Sequence, residues 1–210
     1  MTIAVLAVQG AFVEHEKKLE KLGASCIELR KAEDLAQHYD GLVLPGGEST
    51  VQGKLLKELG MYDTIKSQIE SGMPVLATCA GLILLADNLE GGETGHLQTM
   101  PVTVKRNAYG RQLGSFHIEA NLQGIGKVPM TFIRAPYVAE TGDGVEVLAT
   151  VDGKIVGVQY KNQMAFATVE DRIVAVKYKN QLALAFHPEL DENDEIHKAF
   201  LAMCENRKPL

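Results

Sequence analysis

Short apolar runs alternate with amphipathic segments through the first half of the chain. The runs predict buried strands at Thr2 to Val8, Ser25 to Leu29, Gly41 to Leu44 and the stretch leading into Cys79. The amphipathic segments predict helices, among them Glu14 to Leu22 and Ala80 to Leu89. Strands separated by helices are typical of βαβ units. We therefore expect an α/β fold with a mostly parallel central sheet flanked by helices and functional loops at the carboxyl ends of its strands.

The second half of the chain is richer in strands. Short strands are predicted near Val102 to Lys105, Ser115 to Ala120 and Met130 to Ile133, followed by a meander from Val145 and a final helix over about Glu192 to Asn206. No stretch has the composition of a flexible linker. The sequence therefore predicts one domain over residues 1–210, with a β-rich flank.

Composition narrows the class of protein. The 210 residues are 46% hydrophobic and 23% charged, as in an ordinary globular protein, and the net charge of −6 argues against nucleic-acid binding. No apolar run reaches membrane-spanning length and no signal-like segment precedes the first strand, so we expect no membrane partner. Cys26, Cys79 and Cys204 form no disulfide framework, which favours a cytoplasmic compartment.

Cys79 stands where an apolar strand turns into an apolar helix. Such a corner exposes the side chain and points helix N–H groups at it, which favours a thiolate and offers donors to an oxyanion. Ala77, Ala80 and Gly81 supply the small side chains that a crowded turn needs. Taken alone, a cysteine in this position is more often a buried core residue than a nucleophile.

Two further motifs favour catalysis. His187 and Glu189, in one short downstream stretch, supply a base and an orienting carboxylate, and a Cys–His–Glu set is suited to acyl transfer. The Gly46-Gly47 pair follows the third strand and lets backbone N–H groups approach a substrate, although a Gly-Gly pair alone equally marks a tight turn. The combination, rather than any one motif, indicates an enzyme.

The remaining histidines show no metal-ligand spacing, so we expect surface or capping roles for them and no metal site. They are His15, His38, His96, His117 and His197. His117 and Glu119 alternate on a predicted strand and are interpreted as a solvated face.

Six stretches of the chain carry a resemblance to a known family. They are Ala7 to Ala11, Leu44 to Thr50, Thr78 to Leu82, Arg106 to Gln112, Phe132 to Pro136 and Phe186 to Leu190. In this order they resemble class I glutamine amidotransferases, and closely the glutaminase subunits of pyridoxal 5′-phosphate synthase, the PdxT family. The resemblance implies a flavodoxin-like fold and the hydrolysis of L-glutamine to glutamate and ammonia.

The same resemblance implies residue roles. Cys79 would be the nucleophile, with His187 and Glu189 completing the triad. The implied glutamine site consists of Gly46, Gly47, Glu48, Ser49, Arg106, Ile133 and Arg134. An arginine suits this site because a guanidinium grips a carboxylate bidentately. From sequence alone, however, each arginine would more often form a surface ion pair.

A partner is implied as well. Ammonia would pass to a synthase subunit that builds pyridoxal 5′-phosphate from a pentose phosphate and a triose phosphate, so the two subunits would form a hetero-oligomer. The resemblance implies the enzyme classes hydrolase and lyase. In relatives the segment matching Gln9 to Ala11 lies near the docking interface. The chain itself would need no metal and no cofactor.

The chain departs from the family in two places. Ala77 replaces the usual glycine two residues before the cysteine, which is costly only where φ is positive. An 18-residue duplication lies within 151–186, where relatives carry one copy, and it predicts an extra β-hairpin and a five-stranded meander. Inserting both extra strands into the central sheet would displace the last strand by about 9–10 Å. We therefore expect a hairpin within Lys154 to Arg172 to be extruded, while Gln181 to Phe186 keeps its place.

Two other functions remain open from the sequence. One is a stand-alone cysteine hydrolase acting on γ-glutamyl or peptide bonds. The other is a binding subunit whose catalysis is impaired by Ala77 or by the duplication.

Overall fold

A computed structural model describes residues 1–106, 115–122, 125–133, 136–142, 145–151, 154–160, 163–166, 168–169, 172–173, 175–178 and 181–206. The helices are α1 (Phe12–Lys21), α2 (Ser49–Glu58), α3 (Tyr62–Glu70), α4 (Ala80–Leu85) and α5 (Glu195–Glu205), with 3-10 helices at Ala32–Ala36 and Pro188–Leu190. The first strands are β1 (Thr2–Leu6), β2 (Ser25–Leu29), β3 (Gly41–Leu44), β4 (Val75–Thr78), β5 (Ala86–Leu89), β6 (Glu93–Thr94), β7 (Met100–Lys105), β8 (Ser115–Leu122), β9 (Gly126–Ile133) and β10 (Tyr137–Thr141). The later strands are β11 (Val145–Val151), β12 (Lys154–Tyr160), β13 (Gln163–Phe166), β14 (Thr168–Val169), β15 (Arg172–Ile173), β16 (Ala175–Tyr178) and β17 (Gln181–Leu184).

A six-stranded sheet in the order β16-β17-β4-β3-β1-β2 forms the centre of the fold. Its strands run parallel except for β16, which pairs antiparallel at the edge. Every residue of β3, β4 and β17 is buried, as expected for parallel strands covered on both faces. The predicted α/β fold is confirmed. None of the helices in the described ranges is long and apolar enough to cross a bilayer.

A second, mixed sheet forms the flank, in the order β14-β15-β10-β7-β5-β6. The predicted helix over Ala80 to Leu89 is wrong in its second part. The helix α4 ends at Leu85, and the next four residues form β5, which pairs with β6 and β7. Asp87 and Asn88 are poor helix formers, and pairing with β7 satisfies the backbone groups that a longer helix would have satisfied.

The final strand keeps its place in the central sheet. β17 pairs directly with β4, with Leu184 opposite Thr78, and no described strand from 154–169 lies between them. Of these strands, β12 and β13 pair with β11 in a separate three-stranded sheet, and β14 pairs with β15 in the flank. The five-stranded meander is therefore wrong in detail, because each of its third and fourth strands divides between two sheets. The predicted turns Asp152-Gly153, Lys161-Asn162, Glu170-Asp171 and Lys179-Asn180 lie outside the described residues.

Candidate active site

Cys79 occupies the corner between β4 and α4, with φ +47° and ψ −98°. This strained conformation with a positive φ costs a residue with a side chain about 1–3 kcal/mol, so the surroundings must impose it. The Cys79 N–H donates to the carbonyl of Leu184 at 2.7 Å, which fastens the corner to the end of β17. Ala77 lies within β4 and is absent from the positive-φ residues of the described chain, so its methyl group meets no backbone penalty there.

His187 follows β17 and is held from two sides. Its N–H donates to the carbonyl of Thr131 on β9 at 2.8 Å, and the preceding Phe186 packs on Phe132 with ring centroids 5.6 Å apart. The ring lies against Gly46, where an added Cβ would lie 2.5 Å from Cε1 of His187 and 3.5 Å from the Cβ of Cys79. Glycine at the end of β3 thus leaves the space that the imidazole occupies.

Glu189 completes the arrangement from behind the imidazole. Nδ1 of His187 donates to Oε1 of Glu189 at 2.7 Å, and both side chains are buried. Burial by itself would lower the pKa of His187, but hydrogen bonds to Cys79 and Glu189 outweigh it and raise the pKa to about 10. Burial would raise the pKa of Glu189, but the electrostatic interaction with the neighbouring His15 ring and the hydrogen bond to His187 lower it overall. Imidazolium and carboxylate are therefore the resting forms at neutral pH.

A cavity of about 410 Å³ opens onto Cys79 and His187. Of the residues that the resemblance assigns to glutamine, Gly47, Glu48, Ser49, Arg106 and Ile133 line this cavity. Gly46 lies behind them against His187, and Arg134 lies outside the described residues. Gln9, Thr50, Ile83 and Pro136 also line the cavity, and sequence reasoning did not assign them to the site.

Arg106 approaches the cavity with its charge already paired. Its guanidinium lies 2.6 Å from the carboxylate of Glu93 and donates to Oγ1 of Thr50 at 3.4 Å. The pair is partly exposed, so it is weak enough for another carboxylate to compete for the guanidinium.

Gln9 connects the end of β1 to the glycine loop. Its Oε1 accepts the N–H of Glu48 at 2.8 Å, and its carbonyl accepts a hydrogen bond from the buried Gln52 at 2.9 Å. The N–H of Ala11 donates to the carbonyl of Gly46 at 3.0 Å. The sequence position of Gln9 could have indicated that it belongs to the site. Gln9 follows β1 at the same edge of the sheet where Gly46 follows β3.

The prediction of surface or capping roles is wrong for two histidines. His15 and His197 are completely buried. His15 lies on α1 and His197 on α5, and both helices turn these rings inward toward the end of β4. His117 and Glu119 are exposed, as predicted. Within the described ranges no three His, Cys, Asp or Glu side chains are grouped to hold a metal ion.

This arrangement defines a class of protein. A sulfur at a strained strand–helix corner, an imidazole beside it and a buried carboxylate behind the imidazole suit cysteine-dependent acyl transfer on an α/β sheet. The chain belongs to the SNO glutamine amidotransferase family, whose model matches residues 5–170.

Individual relatives confirm the resemblance found in the sequence. The chain is 55% identical over 201 residues to the pyridoxal 5′-phosphate synthase subunit PdxT of Desulfitobacterium hafniense (strain Y51), covering 96% of this chain and 92% of the relative. It is 50% identical over 207 residues to the subunit of the same name from Haemophilus influenzae (strain PittEE), covering 97% and 98%. A crystal structure of a glutamine amidotransferase superposes with a TM-score of 0.82 at 38% identity, covering 97% and 98%.

Proposed function

We propose that this chain hydrolyses L-glutamine as the glutaminase subunit of a pyridoxal 5′-phosphate synthase, with Cys79, His187 and Glu189 as its catalytic triad. The observation that carries the proposal is that Cys79 and His187 line one cavity while Glu189 holds His187 at 2.7 Å, in a member of a glutamine amidotransferase family. The PdxT names of the relatives support the particular assembly.

The proposed reaction has two steps. The Cys79 thiolate attacks the γ-carbonyl carbon of glutamine, His187 gives its proton to the amide nitrogen, and ammonia leaves as a thioester forms. Water then gives a proton to the neutral His187 and attacks the thioester, which releases glutamate and restores the thiolate and imidazolium. Glu189 keeps the imidazole oriented and its positive charge stabilised in both steps.

Substrate binding is assigned to the glycine loop and the arginines. The backbone N–H of Gly47, which lines the cavity, would approach the oxyanion of each tetrahedral intermediate, while Gly46 behind it leaves room for the imidazole of His187. Glu48, Ser49 and Ile133 would shape the cavity around the glutamine side chain. Arg106, together with Arg134, would bind the α-carboxylate after exchanging its present partner, Glu93.

The wider context is also part of the proposal. Residues 1–210 would act as one domain in the cytoplasm, without a cofactor of its own, and would pass ammonia to a synthase subunit in a hetero-oligomer. The lyase step of the complete synthase would belong to that partner. Docking near Gln9 would reach the catalytic loop directly, because Gln9 is hydrogen-bonded to Glu48.

Two observations favour this function over an impaired binding subunit. Ala77 lies in regular strand geometry, and β17 pairs with β4 despite the duplication, so neither departure displaces His187 from the cavity.

Glutamine turnover by the wild type and by Cys79→Ala, with and without a synthase subunit, tests the proposal. We expect the wild type to form glutamate and ammonia and Cys79→Ala to be inactive. Cys26→Ala is the matched control, because burial raises the pKa of the Cys26 thiol to about 12 and its sulfur lies outside the residues that line the cavity. Cleavage of γ-glutamyl peptides without turnover of free glutamine would instead indicate the stand-alone hydrolase, and inactivity of the wild type in the complex would indicate the binding subunit.

A further inference from the structure

A buried pair of histidines lies behind the triad, and the proposed reaction does not use it. Nδ1 of His15 lies 3.1 Å from Nε2 of His197, and both rings are completely buried. The two residues are 182 positions apart and come from α1 and α5. Two polar rings placed this deep in an apolar core are costly unless they satisfy other polar groups.

Glu189 is the polar group that needs them. Its Oε1 accepts the hydrogen bond from His187, whereas its Oε2 is buried without a hydrogen-bond partner of good geometry among the described residues. Nε2 of His15 faces this second oxygen at 3.4 Å and also contacts Oγ1 of Thr78 at 3.2 Å. An ionised carboxylate buried with one unpaired oxygen is strongly destabilised, so a donor at Nε2 matters to its charge state.

The contacts select one pair of tautomers. With a proton on Nε2, His15 donates toward Thr78 and Glu189, and its bare Nδ1 accepts from Nε2–H of His197. The opposite tautomer would direct the Nε2 lone pair at the carboxylate oxygen. Burial lowers the pKa of both histidines, that of His197 to about 2, so both rings are neutral donors rather than cations at neutral pH.

We propose that His15 is a positioning residue for the triad: the buried hydrogen bond with His197 fixes its tautomer, and its Nε2–H supports the oxygen of Glu189 that His187 leaves unpaired. Glu189 is thereby kept ionised and correctly turned toward His187, which in turn faces Cys79. This role deepens the proposed glutaminase function and rests on it.

Several charged residues lie around His15 and His197, and the test variants must leave them unchanged. Around His15 they are Glu189 and His187 from the end of β17, with Glu14 and Lys18 on α1 itself. Lys18 and Asp194 face His197. The partly buried Asp194 pairs with both Lys18 and the exposed Lys21, and the test leaves these three charged residues unchanged.

Two substitutions at position 15 separate donation from packing. His15→Leu fills the site without a donor, and His15→Gln retains an amide N–H near the position of Nε2. Leu19→Ala is the structural control, since Leu19 is the buried residue one turn further along α1 and is not part of the histidine network. If His15→Leu does not fold, His15→Asn, whose shorter amide does not reach Glu189, takes its place.

The readouts are glutamine kinetics in the complex and the pH dependence of Cys79 alkylation by iodoacetamide in the full chain, located by peptide mass spectrometry. We expect His15→Leu to lower kcat about tenfold or more with KM within about twofold, and to move the acid limb of alkylation upward by about one pH unit. His15→Gln should restore most of both, while Leu19→Ala should lower the melting temperature and leave the alkylation limb in place.

Three results would overturn the positioning role: an unchanged alkylation limb in His15→Leu, the same shift in Leu19→Ala, or no recovery in His15→Gln. Because alkylation needs no glutamine, it reports on the network even if the wild type proves inactive on glutamine, which would overturn the proposed function alone.

Discussion

The imidazole of His187 rests directly on the backbone of Gly46. A Cβ built on Gly46 would lie 2.5 Å from Cε1 and 2.9 Å from Nδ1 of the ring. The loops that follow β3 and β17 are 141 residues apart in sequence, yet the ring from one loop fills the space that a side chain on the other would need. The absence of a methyl group at Gly46 therefore leaves the space in which the imidazole lies beside Cys79, whose own Cβ would be 3.5 Å from the added carbon.

Gly46→Ala should therefore abolish most activity while leaving the fold in place. The methyl group forces the imidazole to move, and a displacement of about 1 Å costs about 100-fold in rate. Steady-state glutamine turnover and thermal unfolding measure the two effects. Ala77→Gly is the control, because it also alters a small residue near Cys79 but within regular strand geometry; we expect kcat within about twofold of the wild type and a loss of stability of about 0.5–1 kcal/mol. Equal activity of Gly46→Ala and the wild type would contradict the conclusion that the imidazole needs this space.

The part of this site that the sequence predicted consists of residues at strand ends. Cys79, His187 and the Gly46-Gly47 pair each follow an apolar run, and parallel strands bring their carboxyl ends to one edge of the sheet. The burial of His15 and His197 was missed because it depends on how α1 and α5 pack near the end of β4, which neither helix pattern specifies alone. The strand β5 was missed for a similar reason, since its apolar ends fit a helix until β7 is available to pair with it.

His187 should remain protonated well above neutral pH. Its pKa of about 10 in the folded chain exceeds the value of about 6.5 expected in the unfolded chain. The folded state thus binds more protons at this site, so the stabilisation is fully present below pH 6.5 and is lost as the pH rises toward about 10. A ¹³C-edited NMR titration should show no titration of the His187 ring between pH 6 and 8 in the wild type.

Glu189→Gln removes the anionic partner and should lower the pKa of His187, so that its ring titrates nearer to neutral pH. A His187 ring that titrates between pH 6 and 8 in the wild type would contradict the ion pair with Glu189.

Arg106 should govern substrate affinity rather than the chemical step. Replacing it by alanine removes a charged partner for the α-carboxylate, and such an interaction contributes about 1.5–3 kcal/mol, so KM should rise about 10- to 100-fold with kcat nearly unchanged.

Glu93→Gln should have the opposite effect and lower KM, because it frees the guanidinium of Arg106 from its present ion pair. Lys105→Ala is the matched control: Lys105 is the neighbouring cation, pairs with Glu90 at 2.5 Å and does not line the cavity. Initial-rate kinetics with glutamine distinguish these outcomes, and a fall in kcat alone for Arg106→Ala would assign Arg106 to the chemistry instead.

The 18-residue duplication should be removable as a whole unit but not as half of one. Deleting residues 154–171 leaves Arg172–Ile173, whose Ile173 pairs with Val138, and leaves β16 and β17 beside β4. The shortened chain should therefore fold and keep glutamine turnover within a few-fold of the wild type.

Deleting only residues 163–171 is the control. It removes β13 and β14, which together carry the chain from the end of β12 back to the start of β15. The chain would then enter the following strands from the wrong end, so β17 could no longer run parallel to β4 and His187 could not reach Cys79. We expect this chain to lack turnover and to unfold at lower temperature or to aggregate in size-exclusion chromatography. If the 18-residue deletion is inactive while the 9-residue deletion is active, strand direction is not what delivers His187 to the sulfur, and the extra copy is itself part of the catalytic framework.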